Sequence, residues 1–172
     1  MNLRKVAEAD FPSRFGDFRI FGFDGVYENA TEEAVALRMG ALEGEPPLVR
    51  IHSQCLTGDV FHSLRCDCRS QLEIALERIG QEGRGLIIYE HQEGRGIGLL
   101  NKLRAYELQD AGADTVEANE QLGFEADLRR YQLPVEILQY FGLKALRLLS
   151  NNPEKIQALE QAGIVVVERV PC

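Results

Sequence analysis

Three of the four cysteines lie close together in the sequence, and this clustering favours a metal site. Cys66 and Cys68 follow Cys55 by eleven and thirteen residues, whereas Cys172 is the last residue. Thiolates are soft ligands that favour zinc, and three protein ligands with an open fourth position are typical of a catalytic zinc site. The nearest candidates for a fourth ligand are His52, His62 and Asp67. The alternative interpretation is three reduced thiols in a core.

A glycine-rich segment, residues 92–98 with the sequence QEGRGIG, leads directly into a run with helical spacing. Backbone N–H groups and the dipole at a helix N-terminus favour an anion. The segment lacks Gly-Lys-Ser/Thr, so it is not a Walker A loop. A bare glycine pattern is more often a tight turn, but Arg95 adds a positive charge that favours phosphate.

Two further features are ambiguous when they are taken alone. The segment 124–131, FEADLRRY, carries charges of both signs and is typical of a solvated helix face. Tyr106 lies on an amphipathic stretch, where a tyrosine is usually a core aromatic whose hydroxyl is hydrogen-bonded. Neither feature by itself indicates a function.

Composition excludes several classes of protein. The chain has 172 residues, 45% of them hydrophobic, which predicts one domain with a sizeable core. It carries 27 acidic and 19 basic residues, a net charge of −8, which argues against broad binding to nucleic acid or an anionic membrane. No apolar run approaches the ~20 residues of a membrane span. The N-terminus lacks the pattern of a secretory signal, so we expect a cytoplasmic protein.

The elements that must position these residues alternate between strands and helices. The first 44 residues predict short strands and turns, which should make the sheet mixed. Asp114 to Gly123 is only a polar stretch. After position 48 the pattern predicts strands at 48–51, 86–89, 145–149 and 164–167, and helices at 69–81, from 99 to near 112, at 134–141, and from Asn152-Pro153 to Gly163. This alternation favours an α/β layered fold.

Four long segments resemble the GTP cyclohydrolase II family. They are VRIHSQCLTGDVFHSLRCDCRSQLE, HQEGRGIGLLNKLRAYELQDAGADTVEAN, QLGFEADLRRY and LLSNNPEKIQALEQAGIVVVERVP, and the similarity covers nearly the whole chain. The resemblance implies a three-layer α/β/α fold with a mixed β-sheet in a single domain, usually a homodimer. It also implies one Zn²⁺ per chain, Mg²⁺ with the triphosphate, and conversion of GTP to 2,5-diamino-6-(5-phosphoribosylamino)pyrimidin-4-one, formate and pyrophosphate, the first step of riboflavin biosynthesis.

The resemblance also assigns roles to individual residues of this sequence. It implies zinc ligands at Cys55, Cys66 and Cys68. It implies catalytic roles for Asp127 as proton acceptor, Arg129 as nucleophile and Tyr106. It places GTP contacts at Arg50, Ile51, His52, Ser53, Gln54, Gln71, Glu93, Gly94, Arg95, Thr115, Ser150 and Lys155.

The role of Arg129 has two interpretations. A covalent guanylyl-arginine requires deprotonation of a guanidinium whose pKa exceeds ~12. The alternative is that Arg129 clamps the α-phosphate as charge develops there.

The sequence also departs from the family pattern. Gln54 replaces a common Glu, Ser150 replaces a usual Thr, and family members run on past Cys172, so we expect the family's C-terminal tail to be absent. Two rival functions stay open. One is a homologue that acts on GTP but stops early, at a formamide or at GMP plus pyrophosphate. The other is a non-catalytic, zinc-stabilised nucleotide-binding module.

Overall fold

One seven-stranded sheet organises the chain. The computed structural model describes residues 2–92, 97–123 and 131–172. The strands are β1 (Arg4–Ser13), β2 (Gly16–Tyr27), β3 (Ala30–Met39), β4 (Leu48–Ser53), β5 (Gly85–Glu90), β6 (Ala145–Leu149) and β7 (Val165–Val170). The helices are α1 (Leu56–Asp59), α2 (Cys68–Glu82), α3 (Leu99–Asp110), α4 (Thr115–Gln121), α5 (Gln132–Tyr140) and α6 (Pro153–Gln161).

The sheet is mixed, as the sequence predicts. Its strand order is β1-β2-β3-β5-β4-β6-β7. The pairs from β1 through β3 to β5 are antiparallel, whereas β5, β4, β6 and β7 run parallel to one another. The parallel connections need crossovers, and helices supply them.

Helices cover both faces of this sheet. Successive residues of a strand point to opposite sides, so each strand contributes apolar side chains to two cores. On β4, Val49 and Ile51 pack in a large hydrophobic cluster with Ile137 of α5. Leu48 of the same strand packs in a second cluster with Ile79 of α2. The α/β class and the mixed sheet predicted from the sequence are therefore confirmed.

The same alternation brings polar side chains to one face of the sheet. Arg50 and His52 share the face of Leu48, and both are buried. The carboxyl ends of β4 and β5 lie side by side, since Ser53 is paired with Glu90. In open α/β sheets, this end of the parallel strands is where ligands bind.

Three elements, β1, α1 and α4, were not predicted from the sequence. β1 alternates Ala7, Ala9 and Phe11 with Glu8 and Asp10, but it is exposed along nearly its whole length, so this alternation marks no buried face. α4 falls in the polar stretch and begins with a capping box: Glu117 N donates to Asp114 Oδ1 at 2.7 Å, and Asp114 N donates to Glu117 Oε2 at 3.3 Å. Among the described helices, none combines the length and apolar character needed to cross a membrane.

Candidate active site

The three clustered cysteines meet in space. Cys55 precedes α1, and Cys68 opens α2, so the connection between the two helices carries Cys66 back to both. The three Sγ atoms lie within 4.8 Å of one another, and Cys55 Sγ is 3.5 Å from Cys66 Sγ. The other ligand candidates, His52, His62 and Asp67, do not join this group, so within the described ranges the ligand set stays at three.

Gly58 leaves room for this group of thiols. A Cβ at position 58 would lie 2.8 Å from Cys66 Sγ, closer than real Cβ contacts allow, and 3.2 Å from Cys55 Sγ, which is also tight. Three sulfur donors that converge next to a residue without a side chain fit a tetrahedral zinc ion with one open position.

Electrostatics in this cluster concentrate negative charge on one sulfur. A hydrogen bond from Cys68 lowers the pKa of Cys55 to about 4 against the effect of burial, and Lys102 also lowers it. The hydrogen bond to Cys55 and burial both raise the pKa of Cys68. Burial is also the main reason why the pKa of Cys66 is raised. A metal-free cluster would therefore hold its first thiolate at Cys55.

Helix α3 places two side chains against the cysteine segment. Lys102 and Tyr106 lie one helical turn apart, so they share a face of α3. Lys102 Nζ is 3.1 Å from Cys55 Sγ. The Tyr106 hydroxyl is 3.0 Å from Thr57 Oγ1, and the Arg65 guanidinium lies 4.5 Å from the centroid of the Tyr106 ring.

Asp59 anchors the cysteine segment to the sheet. Its carboxylate accepts hydrogen bonds from the Tyr89 hydroxyl at 2.7 Å and from the Cys55 backbone N–H at 3.2 Å, and it lies 3.1 Å from His52 Nε2. Burial alone would raise the pKa of Asp59, but these hydrogen bonds outweigh burial and lower it. The end of α1 is thus fixed to both β4 and β5.

Two buried cations lie beside this network. Arg50 is 5% exposed and donates to Leu149 O and Gln71 Oε1, each at 3.0 Å. Burial lowers the pKa of its guanidinium. Lys155, at the start of α6, is 4% exposed and donates to Ile51 O at 2.6 Å. Such burial is rare for Lys and Arg, and it is consistent with a functional role.

A pocket of about 560 Å³ joins these groups. The three cysteines and Tyr106 line it. So do most of the described residues that the sequence predicts as GTP contacts: Arg50, His52, Ser53, Gln54, Gln71, Ser150 and Lys155. Ile51 instead faces the hydrophobic core and contributes its carbonyl to Lys155. Thr115 is the first residue of α4.

Several predicted site residues lie outside the described residues. They are Glu93, Gly94, Arg95, Asp127 and Arg129. Their roles therefore stay predictions.

Sequence reasoning missed several residues that line the pocket, among them Arg65, Lys102 and Gln109. The helical spacing of Lys102 to Tyr106 was a usable signal, because residues four apart lie on the same face of a helix.

Comparison with known proteins gives consistent results. The family model for GTP cyclohydrolase II matches residues 4–171. The chain is 57% identical over 173 aligned residues to GTP cyclohydrolase-2 of Yersinia pseudotuberculosis, covering 99% of this chain and 87% of that protein. It is 55% identical over 170 aligned residues to GTP cyclohydrolase-2 of Actinobacillus succinogenes, covering 98% of this chain and 77% of the relative.

A solved structure shows the same fold at low sequence similarity. RibBX, a two-domain 3,4-dihydroxy-2-butanone 4-phosphate synthase from A. baumannii, aligns with a TM-score of 0.56 and 14% identity. The alignment covers 99% of this chain but only 40% of that structure. The similarity therefore concerns the fold.

Fold and site together define an α/β enzyme whose pocket contains a cluster of three cysteines that could hold a metal ion. The chain belongs to the GTP cyclohydrolase II family.

Proposed function

We propose that this chain hydrolyses GTP to 2,5-diamino-6-(5-phosphoribosylamino)pyrimidin-4-one, formate and pyrophosphate, the first step of riboflavin biosynthesis. One observation carries the proposal: the cysteine cluster, Tyr106 and the buried cations Arg50 and Lys155 all line the same pocket. Opening the guanine ring and cleaving the triphosphate need these two kinds of group within reach of one nucleotide.

Cys55, Cys66 and Cys68 would hold one Zn²⁺ per chain. Zinc bound there supplies a Lewis acid for hydrolysis at carbon 8 of guanine. The convergence of three sulfur donors and the space left by Gly58 support this assignment.

Tyr106 would serve the nitrogen that is released when the guanine ring opens. Its hydroxyl lies 3.0 Å from Thr57 Oγ1, and Arg65 covers its ring, so its orientation is fixed before substrate binds. In this role Tyr106 donates a hydrogen bond or a proton to the developing amine.

Buried positive charge offsets the charge of the protein as a whole. A net charge of −8 repels a nucleotide triphosphate at long range. Arg50 and Lys155 provide a local positive potential in the pocket, and Mg²⁺ bound with the triphosphate would add positive charge while needing few protein ligands.

The family resemblance assigns the phosphate chemistry to further residues. Arg95 would bind phosphate, Asp127 would accept a proton, and Arg129 would act at the α-phosphate. We expect Arg129→Ala to abolish pyrophosphate release from a protein whose circular dichroism is unchanged. Normal pyrophosphate release by this variant would remove Arg129 from the mechanism.

One incubation tests the function. The full chain, loaded with Zn²⁺ and Mg²⁺, is mixed with GTP, and formate, pyrophosphate and the absorbance of the pyrimidine product are followed together. Equal amounts of all three support the proposal. Pyrophosphate without formate, or a formamide that accumulates, would show a homologue that stops early.

A pair of tyrosine variants controls this assay. Tyr106→Phe should lose formate release, whereas Tyr140→Phe, which changes an exposed tyrosine of α5, should keep it. Equal formate release from both variants would exclude Tyr106 from ring opening.

The family resemblance also supports a cytoplasmic homodimer as the working form. Light scattering on the purified chain should give twice the mass of 19.3 kDa. A monomeric mass in active protein would exclude the dimer.

A further inference from the structure

Lys102 makes a contact that the proposed chemistry above does not use. Its Nζ lies 3.1 Å from Cys55 Sγ, although 47 residues separate the two in the sequence. The same ammonium lies 5.8 Å from the centroid of the Tyr106 ring. Lys102 therefore places a positive charge between the thiol cluster and the proposed proton donor.

The contact of Lys102 with Cys55 would neutralise excess negative charge at the proposed metal centre. Three thiolates and one Zn²⁺ sum to a net charge of −1, which is unfavourable beside an anionic nucleotide. An ammonium group within hydrogen-bond distance of one sulfur brings the sum to zero. Hydrogen bonds to a metal-bound ligand from outside the coordination shell also orient that ligand and change its electron donation.

The architecture holds Lys102 in this position. Ala105 of α3 is buried, which fixes the helix against the rest of the molecule. Tyr106 contacts Thr57 from the next turn of the same face, so α3 meets the cysteine segment at two points. Because both contacts join the same face of α3 to the cysteine segment, the helix keeps Lys102 next to Cys55.

We propose that Lys102 is a positioning residue of the metal centre: it hydrogen-bonds the Cys55 thiolate and cancels the excess negative charge of a three-thiolate zinc site. This inference rests on the proposed zinc centre. Lys102 acts through Cys55 and is not itself a ligand. Its effect should appear in the electronic properties of the metal–sulfur bond as well as in turnover.

Cobalt substitution measures this effect directly. Co²⁺ replaces Zn²⁺ in the full chain, and the sulfur-to-cobalt charge-transfer band is recorded for the wild type, K102M, K102Q and K102R. R104M is the matched control, because Arg104 is an exposed cation on the same helix that hydrogen-bonds Asn101. Metal content and circular dichroism are measured on every sample.

The expected order of the spectra follows from donor strength. A thiolate without its hydrogen bond gives up electrons more readily, so the K102M band should move to longer wavelength. K102R should resemble the wild type, K102Q should lie between them because it keeps a donor without the charge, and R104M should not differ from the wild type. K102M should also release formate at least tenfold more slowly, with partial recovery in K102R.

The outcomes separate the role of Lys102 from the existence of the metal centre. A K102M protein that binds cobalt with the wild-type band overturns the role of Lys102 while leaving the metal centre intact. A folded K102M that no longer retains cobalt, beside an R104M that does, supports the role. If the wild type itself binds neither cobalt nor zinc, the proposed metal centre fails, and this inference fails with it.

Discussion

His52 and Asp59 form a buried pair next to the thiol cluster: His52 Nε2 lies 3.1 Å from Asp59 Oδ1, and their side chains are 2% and 5% exposed. Arg50 donates to His52 Nδ1 at 3.3 Å. A neutral imidazole with its proton on Nε2 satisfies both contacts, because it accepts from the guanidinium and donates to the carboxylate. The pair therefore connects Arg50 in the pocket to the segment that carries Cys55.

We expect Asp59→Asn to destabilise the protein by about 2 kcal/mol, because the amide keeps one acceptor oxygen but presents an NH₂ group to another donor. Tyr89→Phe removes a single hydrogen bond to the same carboxylate and should cost about 1 kcal/mol. Urea unfolding of metal-free samples measures both free energies. Equal stability of Asp59→Asn and the wild type would show that Asp59 does not anchor the segment.

The imidazole of His52 should make stability depend on pH. Burial lowers the pKa of His52 in the folded protein, so between that value and the unfolded pKa of ~6.5 the unfolded chain binds more protons. The contribution of His52 is fully present above pH ~6.5 and is lost as pH falls, by up to about 1.4 kcal/mol per pH unit.

Urea unfolding between pH 8 and pH 5.5, with a chelator present, compares the wild type with His52→Gln. We expect the pH dependence to be smaller in the variant. His91→Gln, which changes an exposed histidine, is the control and should behave as the wild type. An identical pH dependence in His52→Gln would contradict the prediction.

Gly58→Ala should damage the metal centre more than the fold. The added Cβ would lie 2.8 Å from Cys66 Sγ, so the sulfur must move away from the other two. We expect zinc content to fall at least tenfold at a fixed chelator concentration. Gly22→Ala is the control, because a Cβ there meets only Ala7 O at 4.0 Å. Wild-type zinc retention in Gly58→Ala would mean that the thiols do not bind metal in this arrangement.

Cys66→Ser should separate the two halves of the proposed reaction. We expect zinc to be largely lost and formate release to stop, while pyrophosphate release continues and yields GMP. The reason is that cleavage at a phosphate depends chiefly on positioning and charge neutralisation, which the cationic residues and Mg²⁺ provide. Coupled assays for both products on one sample check this. If both products vanish while circular dichroism is unchanged, the two chemistries share the metal.

The sequence predicts the parallel half of the sheet well, because burial there gives strong patterns. Leu48–Ser53 and Gly85–Glu90 are buried along nearly their whole length and are rich in Leu, Ile and Val, and Gly83 ends α2 in the left-handed conformation that glycine favours. β1 could not be found in this way, because its stability comes from pairing with β2 and not from a buried face.

In the candidate site, features that depend on local spacing could be predicted from the sequence, whereas features that depend on tertiary packing could not. Spacing alone predicts the cysteine cluster, since its members lie within 14 residues. The contact of Lys102 with Cys55 depends on how α3 packs against α1, and no local pattern encodes it. Likewise, the hydrogen bonds of both ring nitrogens of His52 could not be predicted from the sequence, because they depend on how the fold places Arg50 and Asp59.

The strand order has a consequence for how the chain is made. β4 pairs with β5 and β6, and both follow the cysteines in the sequence. During synthesis from the N-terminus, β1, β2 and β3 can pair at once, because their contacts are local. The thiols leave the ribosome before either neighbour of β4 exists, so the nascent chain carries them uncovered while reactive thiolates are open to oxidation. Capture of the proposed zinc ion would therefore compete with oxidation during translation, and a reducing compartment would favour the metal.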